Sequence, residues 1–246
     1  MKKLNWQIVF GLSLIFLSAV LYFAHYTIFR DAHHIFIYLI GDIAFVPIEV
    51  LLVTLIIHRL LSVREKRNRL KKLNMVIGAF FSEVGTRLLR TFSDFDPNAG
   101  TMKSNLVMVS NWSDKDFSLM SKRLQGYDYT IDSKKGDLEE LKKFLTGKRE
   151  FLLGLLENPN LMEHESFTDL LWAVFHLIEE LDFRENVNRL SRGDYGHLSN
   201  DIKRAYRLLV YEWLVYMKHL KDNYPYLFSL AIRTNPFDPN ASVEVR

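Results

Sequence analysis

The chain has 246 residues, a net charge of +3 and no cysteine. Without cysteine it forms no disulfide, no iron–sulfur cluster and no cysteine-ligated zinc site. The length allows one or two domains, and the apolar residues are concentrated in the first quarter of the chain.

Two long apolar segments open the chain. The first, residues 8–29, would span about 33 Å as a helix, close to the thickness of a bilayer's hydrocarbon core. The second, residues 35–61, is longer and would span with a tilt. Because only residues 30–34 separate them, we predict that residues 1–62 form an antiparallel transmembrane hairpin. A cleaved signal peptide is the alternative for the first segment, but no small-x-small cleavage site ends it.

Basic residues flank this hairpin on one side. Lys2 and Lys3 precede the first segment, and seven basic residues, here called the basic collar, lie between residues 59 and 72. By the positive-inside rule both termini are cytoplasmic, which places the protein in the inner (plasma) membrane. The collar adjoins the apolar segment, so we predict that it contacts anionic lipid headgroups and not nucleic acid. Its members are Arg59, Arg64, Lys66, Arg67, Arg69, Lys71 and Lys72.

The second apolar segment carries two acids and a proline. Asp42 and Glu49 lie two helical turns apart and share a helix face, and Pro47 between them predicts a kink. Counted from the loop, Ser18 and His25 of the first segment reach similar depths. A charge inside a bilayer costs at least about 2.5–3.5 kcal/mol, so both acids should face protein or water. They either have a structural role, hydrogen-bonded to His25, to Ser18 or to a second copy in a homo-oligomer, which we favour, or line a proton or cation pathway at an oligomer axis.

The next part of the chain continues as helix. Residues 63–92 combine most of the collar with an amphipathic helix that we expect to be continuous with the second apolar segment. Within it, Glu83 and Arg87 are one turn apart and are expected to pair. Residues 93–105, which are rich in Asn, Asp, Pro and Gly, predict a linker.

Residues 106–235 predict a cytoplasmic bundle of helices, followed by a tail over residues 236–246. Ser113 and Asp116 form a capping box that opens its first helix. Strand-like alternation is nearly absent. The predicted fold class is therefore all-α, a two-helix transmembrane hairpin followed by a cytoplasmic α-helical bundle. The main predicted helices of the bundle cover residues 113–124, 136–156, 164–181, 198–220 and 226–232.

No pattern of residues predicts catalysis. The chain has no HExxH, phosphate-loop or GxSxG motif, and it lacks the Glu-x-x-His pairs of a dimetal bundle. We therefore predict no enzyme, no metal and no cofactor. His176 is expected to be a hydrogen-bonded core residue. The aromatic helix at residues 198–220 is expected to pack in the bundle, because the globular part is net acidic and unsuited to nucleic acid.

The runs HIFIYLIGDIAFVPIEVLLVTLIIHRLL and LKKLNMVIGAFFSEVGTRLL resemble a family of uncharacterised prokaryotic membrane proteins. The later runs LLENPNLMEHESFTDLLWAVFHLIEEL and EWLVYMKHLKDNYPYLFSLAIRTNPFDP are similar to the same family. The resemblance covers most of the chain. It implies two spans and a helical cytoplasmic domain, and it transfers no activity and no functional residue.

These observations favour a membrane-anchored helical scaffold or sensor whose cytoplasmic bundle binds a protein partner or a signal. The alternative is an oligomeric proton or cation pathway through Asp42 and Glu49. Two helices cannot enclose a pore, so this alternative requires several copies of the chain.

Overall fold

The computed structural model describes residues 6–107, 111–159, 161 and 164–244, without the side chains of residues 67–71. Within these residues there are ten α-helices, one short π-helix and no strand, which confirms the predicted all-α class. The chain divides into two compact units, residues 1–66 and 67–246. Each is described by itself below.

The first unit consists of α1 (Trp6–Phe29) and the beginning of α2 (Ala32–Phe80). The turn between these helices is shorter than predicted, because only Arg30 and Asp31 lie outside them. Arg30 adopts a left-handed backbone conformation with φ of 50°. The Asp31 side chain then accepts a hydrogen bond from the backbone N–H of His34 at 3.2 Å, which caps α2 and allows it to start early.

The apolar side chains of this unit face outward. α1 has no buried residue, and the large hydrophobic residues of α2 up to Val63 are also exposed, apart from Ile35 and Leu39, which are half-buried. Both helices are long and apolar enough to cross a membrane, judged by length and composition. A surface of this kind is unlike that of a soluble helix, which keeps an apolar stripe against a core.

The second unit is a bundle around α9. This helix contacts α3, α5, α8 and α10 as well as the π-helix, and α8 in turn contacts α6 and α7. Apolar residues at three- and four-residue steps along α8 and α9 are buried, as their periodicity predicts. The helices are α3 (Thr86–Asp94), α4 (Ala99–Leu106), α5 (Asp114–Gln125), α6 (Leu138–Gly147), α7 (Arg149–Leu156), α8 (Glu165–Asp182), α9 (Arg192–Asn223) and α10 (Pro225–Arg233).

Side-chain caps define several of these helix starts. The predicted capping box of α5 is confirmed: Ser113 Oγ accepts from the backbone N–H of Asp116, and Asp116 accepts from that of Ser113 at 2.7 Å. The Asp137 side chain caps α6 by accepting from the backbone N–H of Glu140, and the Ser191 side chain caps α9 by accepting from that of Asp194. The helix predicted over residues 136–156 is interrupted at Lys148, which separates α6 from α7.

Residues 93–105 differ from the predicted linker because they contain most of α4. Phe95, Ala99 and Met102 are buried in the core, and Asp96 accepts a hydrogen bond from the backbone N–H of Asn98 at 2.8 Å. The polar residues make a tight turn ahead of a short helix whose apolar side chains pack inward. Composition alone does not distinguish such a segment from a flexible connection.

The beginning of the predicted tail is also packed. Phe237 is buried. Its ring meets that of Trp213 edge-on, with 4.9 Å between the two ring centroids. Asn235 donates a hydrogen bond to the carbonyl oxygen of Leu106 at 2.8 Å and accepts one from the Phe237 N–H at 2.9 Å. These contacts join the end of the bundle to the end of α4.

A π-helix over Phe81–Gly85 separates α2 from α3 and changes the pairing predicted there. Arg87 pairs with Glu140 at 3.1 Å, and Glu83 pairs with Lys148 at 2.8 Å. The predicted pair of Glu83 with Arg87 is therefore wrong. A π-turn adds a residue to the turn, so positions four apart no longer lie above one another.

Candidate functional site

A groove of about 660 Å³ lies between the two helices of the first unit. Three of the residues singled out by the sequence line it, namely Ser18, His25 and Asp42. Tyr22, His34 and Tyr38 complete its polar lining. The His25 and His34 rings stack with 5.9 Å between their centroids, and Tyr38 meets His34 edge-on with 4.7 Å between centroids. The His25 Nδ1 atom is buried without a hydrogen-bond partner among the described residues.

Glu49 and Pro47, the other two residues singled out in the second apolar segment, do not line this groove. Glu49 is exposed on α2, beyond the residues that line the groove. Pro47 lies inside α2, which continues through it as helix. The predicted kink at Pro47 stays a prediction, and so does an assignment of Glu49 to a pathway with Asp42.

The basic collar lies along α2. Arg59, Arg64, Lys66 and Lys72 are exposed. The side chains of its other three members, Arg67, Arg69 and Lys71, lie outside the described residues. Contact of these side chains with anionic lipid headgroups stays a prediction.

A cluster of histidines and carboxylates, here called the α8–α9 cluster, lies where these two helices meet. His176 and Glu180 come from α8, and His197 and Asp201 come from α9. Each pair is four residues apart and therefore occupies one helix face. His197 Nε2 lies 3.3 Å from Oε2 of Glu180 and 3.3 Å from Oδ2 of Asp201. His176 Nε2 lies 3.8 Å from Glu180 Oε1 and 3.7 Å from Asp201 Oδ1.

Two arginines border this cluster. Arg184 pairs with Glu180 at 2.7 Å and with Asp194 at 3.4 Å, and Arg204 lies 3.7 Å from Asp201 Oδ1. The hydrogen bond from Arg184 holds the pKa of the Glu180 carboxyl below its usual range. Glu180 is therefore an ionised group with a partner of its own, whereas Asp201 is buried and only 3% exposed.

This cluster is not predicted by the Glu-x-x-His motif of dimetal bundles, because these helices carry His-x-x-x-Glu and His-x-x-x-Asp instead. His176, which the sequence places in the core, has a side chain that is 43% exposed at the edge of α8. The signal available in the sequence was a histidine with a carboxylate four residues later on two helices that are neighbours in the chain.

A second groove, of about 620 Å³, lies in the other unit. It is formed by the end of α2, the π-helix, the start of α3, α9 and α10. Most of the lining surface is apolar, and its polar groups belong to Asn74, Ser82, Thr86, Tyr216, His219, Tyr224 and Thr234. His219 Nδ1 lies 3.2 Å from the side-chain nitrogens of Asn74 and Asn223. Burial lowers the pKa of His219, which favours the neutral ring. Apolar walls with a few polar groups suit a small organic ligand or a partner side chain.

Comparison with known proteins gives two family matches and one relative. The model described as "Uncharacterized protein MJ1433, C-terminal helical domain" matches residues 69–233, and "MJ1433, N-terminal helical domain" matches residues 2–61. Uncharacterized protein MJ1433 of Methanocaldococcus jannaschii is 49% identical over 238 residues, which cover 97% of this chain and 96% of that protein. No solved structure matches the chain.

Proposed function

This chain belongs to the MJ1433 family, and on that premise we propose that it is a membrane-anchored helical binding protein. The hairpin of α1 and the first part of α2 anchors a helical domain on the cytoplasmic side of the plasma membrane. One observation carries this proposal: the large apolar side chains of residues 6–61 are exposed along both helices. Burying one such side chain in hydrocarbon contributes about 1.5–3 kcal/mol, so a hairpin of this length partitions strongly into lipid.

The orientation follows from the basic flanks and is tested with reporter fusions. Alkaline phosphatase fused after residue 31 is expected to be active in the periplasm of a bacterial host, and a fusion at the C-terminus is expected to be inactive. Green fluorescent protein, which is fluorescent in the cytoplasm, should show the reverse pattern. An active C-terminal phosphatase would contradict a cytoplasmic helical domain.

For the domain itself we propose binding of a protein partner or a signal molecule in the groove of about 620 Å³. Ala79 is exposed and lines this groove, so Ala79→Trp should fill it without disturbing the core. Ser118→Trp places the same ring at an exposed position of α5, outside the groove, and serves as the control. Proteins and small molecules that co-purify from native membranes should be lost from the first variant only. Equal recovery with both variants rejects this groove as the binding site.

An oligomeric proton or cation pathway is the second candidate function. It is supported by Asp42, His25 and Ser18 in one groove and by Glu49 exposed among apolar side chains. A second copy of the chain would cover these groups, so we propose a homo-oligomer packed through this face. Asp42→Ala and Glu49→Ala should shift the protein toward monomer by about 0.6–2 kcal/mol per lost hydrogen bond, and Glu49→Gln should do so less.

Native mass spectrometry in nanodiscs tests the oligomer, and ion flux into liposomes tests the pathway. A wild-type protein that is monomeric in nanodiscs and in several mild detergents contradicts both proposals. An oligomer without flux contradicts the pathway alone and leaves the acids as contacts between copies.

A further inference from the structure

We propose that His176, His197 and Asp201 of the α8–α9 cluster bind one divalent transition-metal ion per chain. One ligand atom of each residue lies within 4.8 Å of the other two. The three side chains come from two helices that pack against each other, so the bundle itself positions them. This inference is independent of the membrane anchor, because all three residues belong to the second unit.

The distances fit a common central ion. Zinc binds imidazole nitrogen and carboxylate oxygen at about 2.1 Å, so two ligands in tetrahedral geometry lie about 3.4 Å apart. His197 Nε2 and Asp201 Oδ2 are 3.3 Å apart, and His176 Nε2 and Asp201 Oδ1 are 3.7 Å apart. The first of these distances ends on Oδ2 and the second on Oδ1 of the same carboxylate, so side-chain rotation would have to bring both imidazole nitrogens toward a single ion.

Asp201 provides the second, independent observation. Its side chain is 3% exposed, and its Oδ2 atom makes no hydrogen bond with the described residues. A buried carboxylate oxygen without a hydrogen bond is costly unless a positive charge compensates it, and here that charge comes from a protonated imidazole, from Arg204 or from a bound cation. Arg204 lies 3.7 Å from the other oxygen, a distance too long for a hydrogen bond. A cation bound by the two imidazoles would compensate the Oδ2 atom of Asp201, which makes no hydrogen bond with the described residues.

The donor atoms define the class of metal. Two imidazoles and one carboxylate suit zinc, iron, nickel or copper, whereas magnesium and calcium prefer oxygen ligands alone. Glu180 lies beside the site, but its hydrogen bond to Arg184 compensates its charge. Three protein ligands leave at least one coordination position to water or to an external ligand. The histidine side chains are 43% and 51% exposed, so the ion has a path of entry from solvent.

The test uses the full chain, purified in detergent without a polyhistidine tag and stripped with EDTA. Zinc is titrated by calorimetry and cobalt by its visible absorption, and each should bind with a stoichiometry of one ion per chain. His176→Gln and His197→Gln should each weaken binding by about 100-fold or more, since loss of even an outer-shell partner costs 10–100-fold. His33→Gln and Asp182→Asn, which alter an exposed histidine and an exposed carboxylate outside the cluster, should bind like the wild type.

Thermal unfolding supplies a second readout. Zinc at 100 times its dissociation constant should raise the Tm of the wild type by about 5–10 °C, and should not raise that of the histidine variants. Asp201→Asn should also weaken zinc binding. If this variant fails to fold, His176→Gln and His197→Gln still test the proposal, because both histidine side chains are half-exposed. Equal zinc affinity in the wild type and both histidine variants would overturn the proposal. So would a wild type that binds neither metal, in which case the cluster is a set of ion pairs only. Neither result bears on the anchor, which the reporter fusions test.

Discussion

Glu212 is a carboxyl group inside the core of the second unit. Its side chain is 1% exposed, and neither carboxylate oxygen has a hydrogen-bond partner within the described part of the chain. The nearby Ser166 hydroxyl lies 3.4 Å from His164 Nδ1. Burial raises the pKa of Glu212 above its ordinary value of 4.5, and the neighbouring Ser166 and His164 offset that rise only in part. Folding therefore shifts the proton equilibrium of Glu212 toward the neutral form.

This shift predicts how stability depends on pH. An acid whose pKa is raised by folding binds its proton more tightly in the folded state, so its contribution to stability falls as the pH rises above 4.5. Glu212→Gln removes the charge and should stabilise the protein by about 1–3 kcal/mol at pH 8, with the difference shrinking toward pH 5. Thermal unfolding of both proteins across this range measures it. A variant less stable than the wild type at pH 8 would show that ionised Glu212 has a partner in the fold.

At the scale of the element, the π-helix is the feature that shapes the start of the bundle. Thr86 Oγ1 donates a hydrogen bond to the carbonyl oxygen of Phe81 at 2.8 Å, which satisfies an acceptor in the wider turn. Gly85 lies where the Phe80 and Phe81 rings come close to the backbone. A Cβ atom at this position would lie 2.6 Å from Phe81 Cδ1 and 2.9 Å from Phe80 Cε1. Both rings belong to buried residues, so a shift of either ring would disturb the packing of the core.

Two glycine substitutions should therefore have opposite effects. Gly85→Ala is expected to destabilise the protein by about 1–3 kcal/mol, because it overpacks the core. Gly154→Ala, in the exposed face of α7 with no atom within 4 Å of the new Cβ, should stabilise by about 0.5–1 kcal/mol through helix propensity. The Tm should fall for the first and rise for the second. A neutral Gly85→Ala would mean that the π-turn converts to an α-turn and relieves the contact.

At the scale of the whole molecule, the buried hydrophobic core of the described residues lies within the second unit. Its first buried residue is Leu73 and its last is Phe237. The described part of the first unit contributes exposed apolar helices instead. The two units therefore present different surfaces, one that exposes its large apolar side chains and one that buries most of them.

This division predicts different behaviour on fractionation. The full chain should stay with membranes after an alkaline carbonate wash and be released by detergent. A fragment of residues 67–246 should be soluble without detergent and retain a helical circular dichroism spectrum. Release of the full chain by carbonate would contradict the anchor. An insoluble fragment would instead show that the bundle needs the hairpin to fold.

Much of the fold follows from local patterns. The capping box of α5, the buried stripe of α8 and the long apolar segments were all predictable, because each depends on residues within two or three helical turns. The segment at residues 93–105 was not, since its polar turn and its buried apolar residues compete and only packing decides between them. The pairing of Arg87 with Glu140 could not be predicted from the sequence either, because these residues are far apart in the chain.

By itself the sequence determined that this protein is helical, that its first quarter is apolar and that its remainder has a core of its own. These properties depend on composition and on spacing along one helix. Only the tertiary structure decided that His176 of α8 faces Asp201 of α9, because the rotation of each helix about its axis depends on how their side chains interdigitate. The candidate metal site exists only through that packing, which brings both histidines to the one buried carboxylate of Asp201.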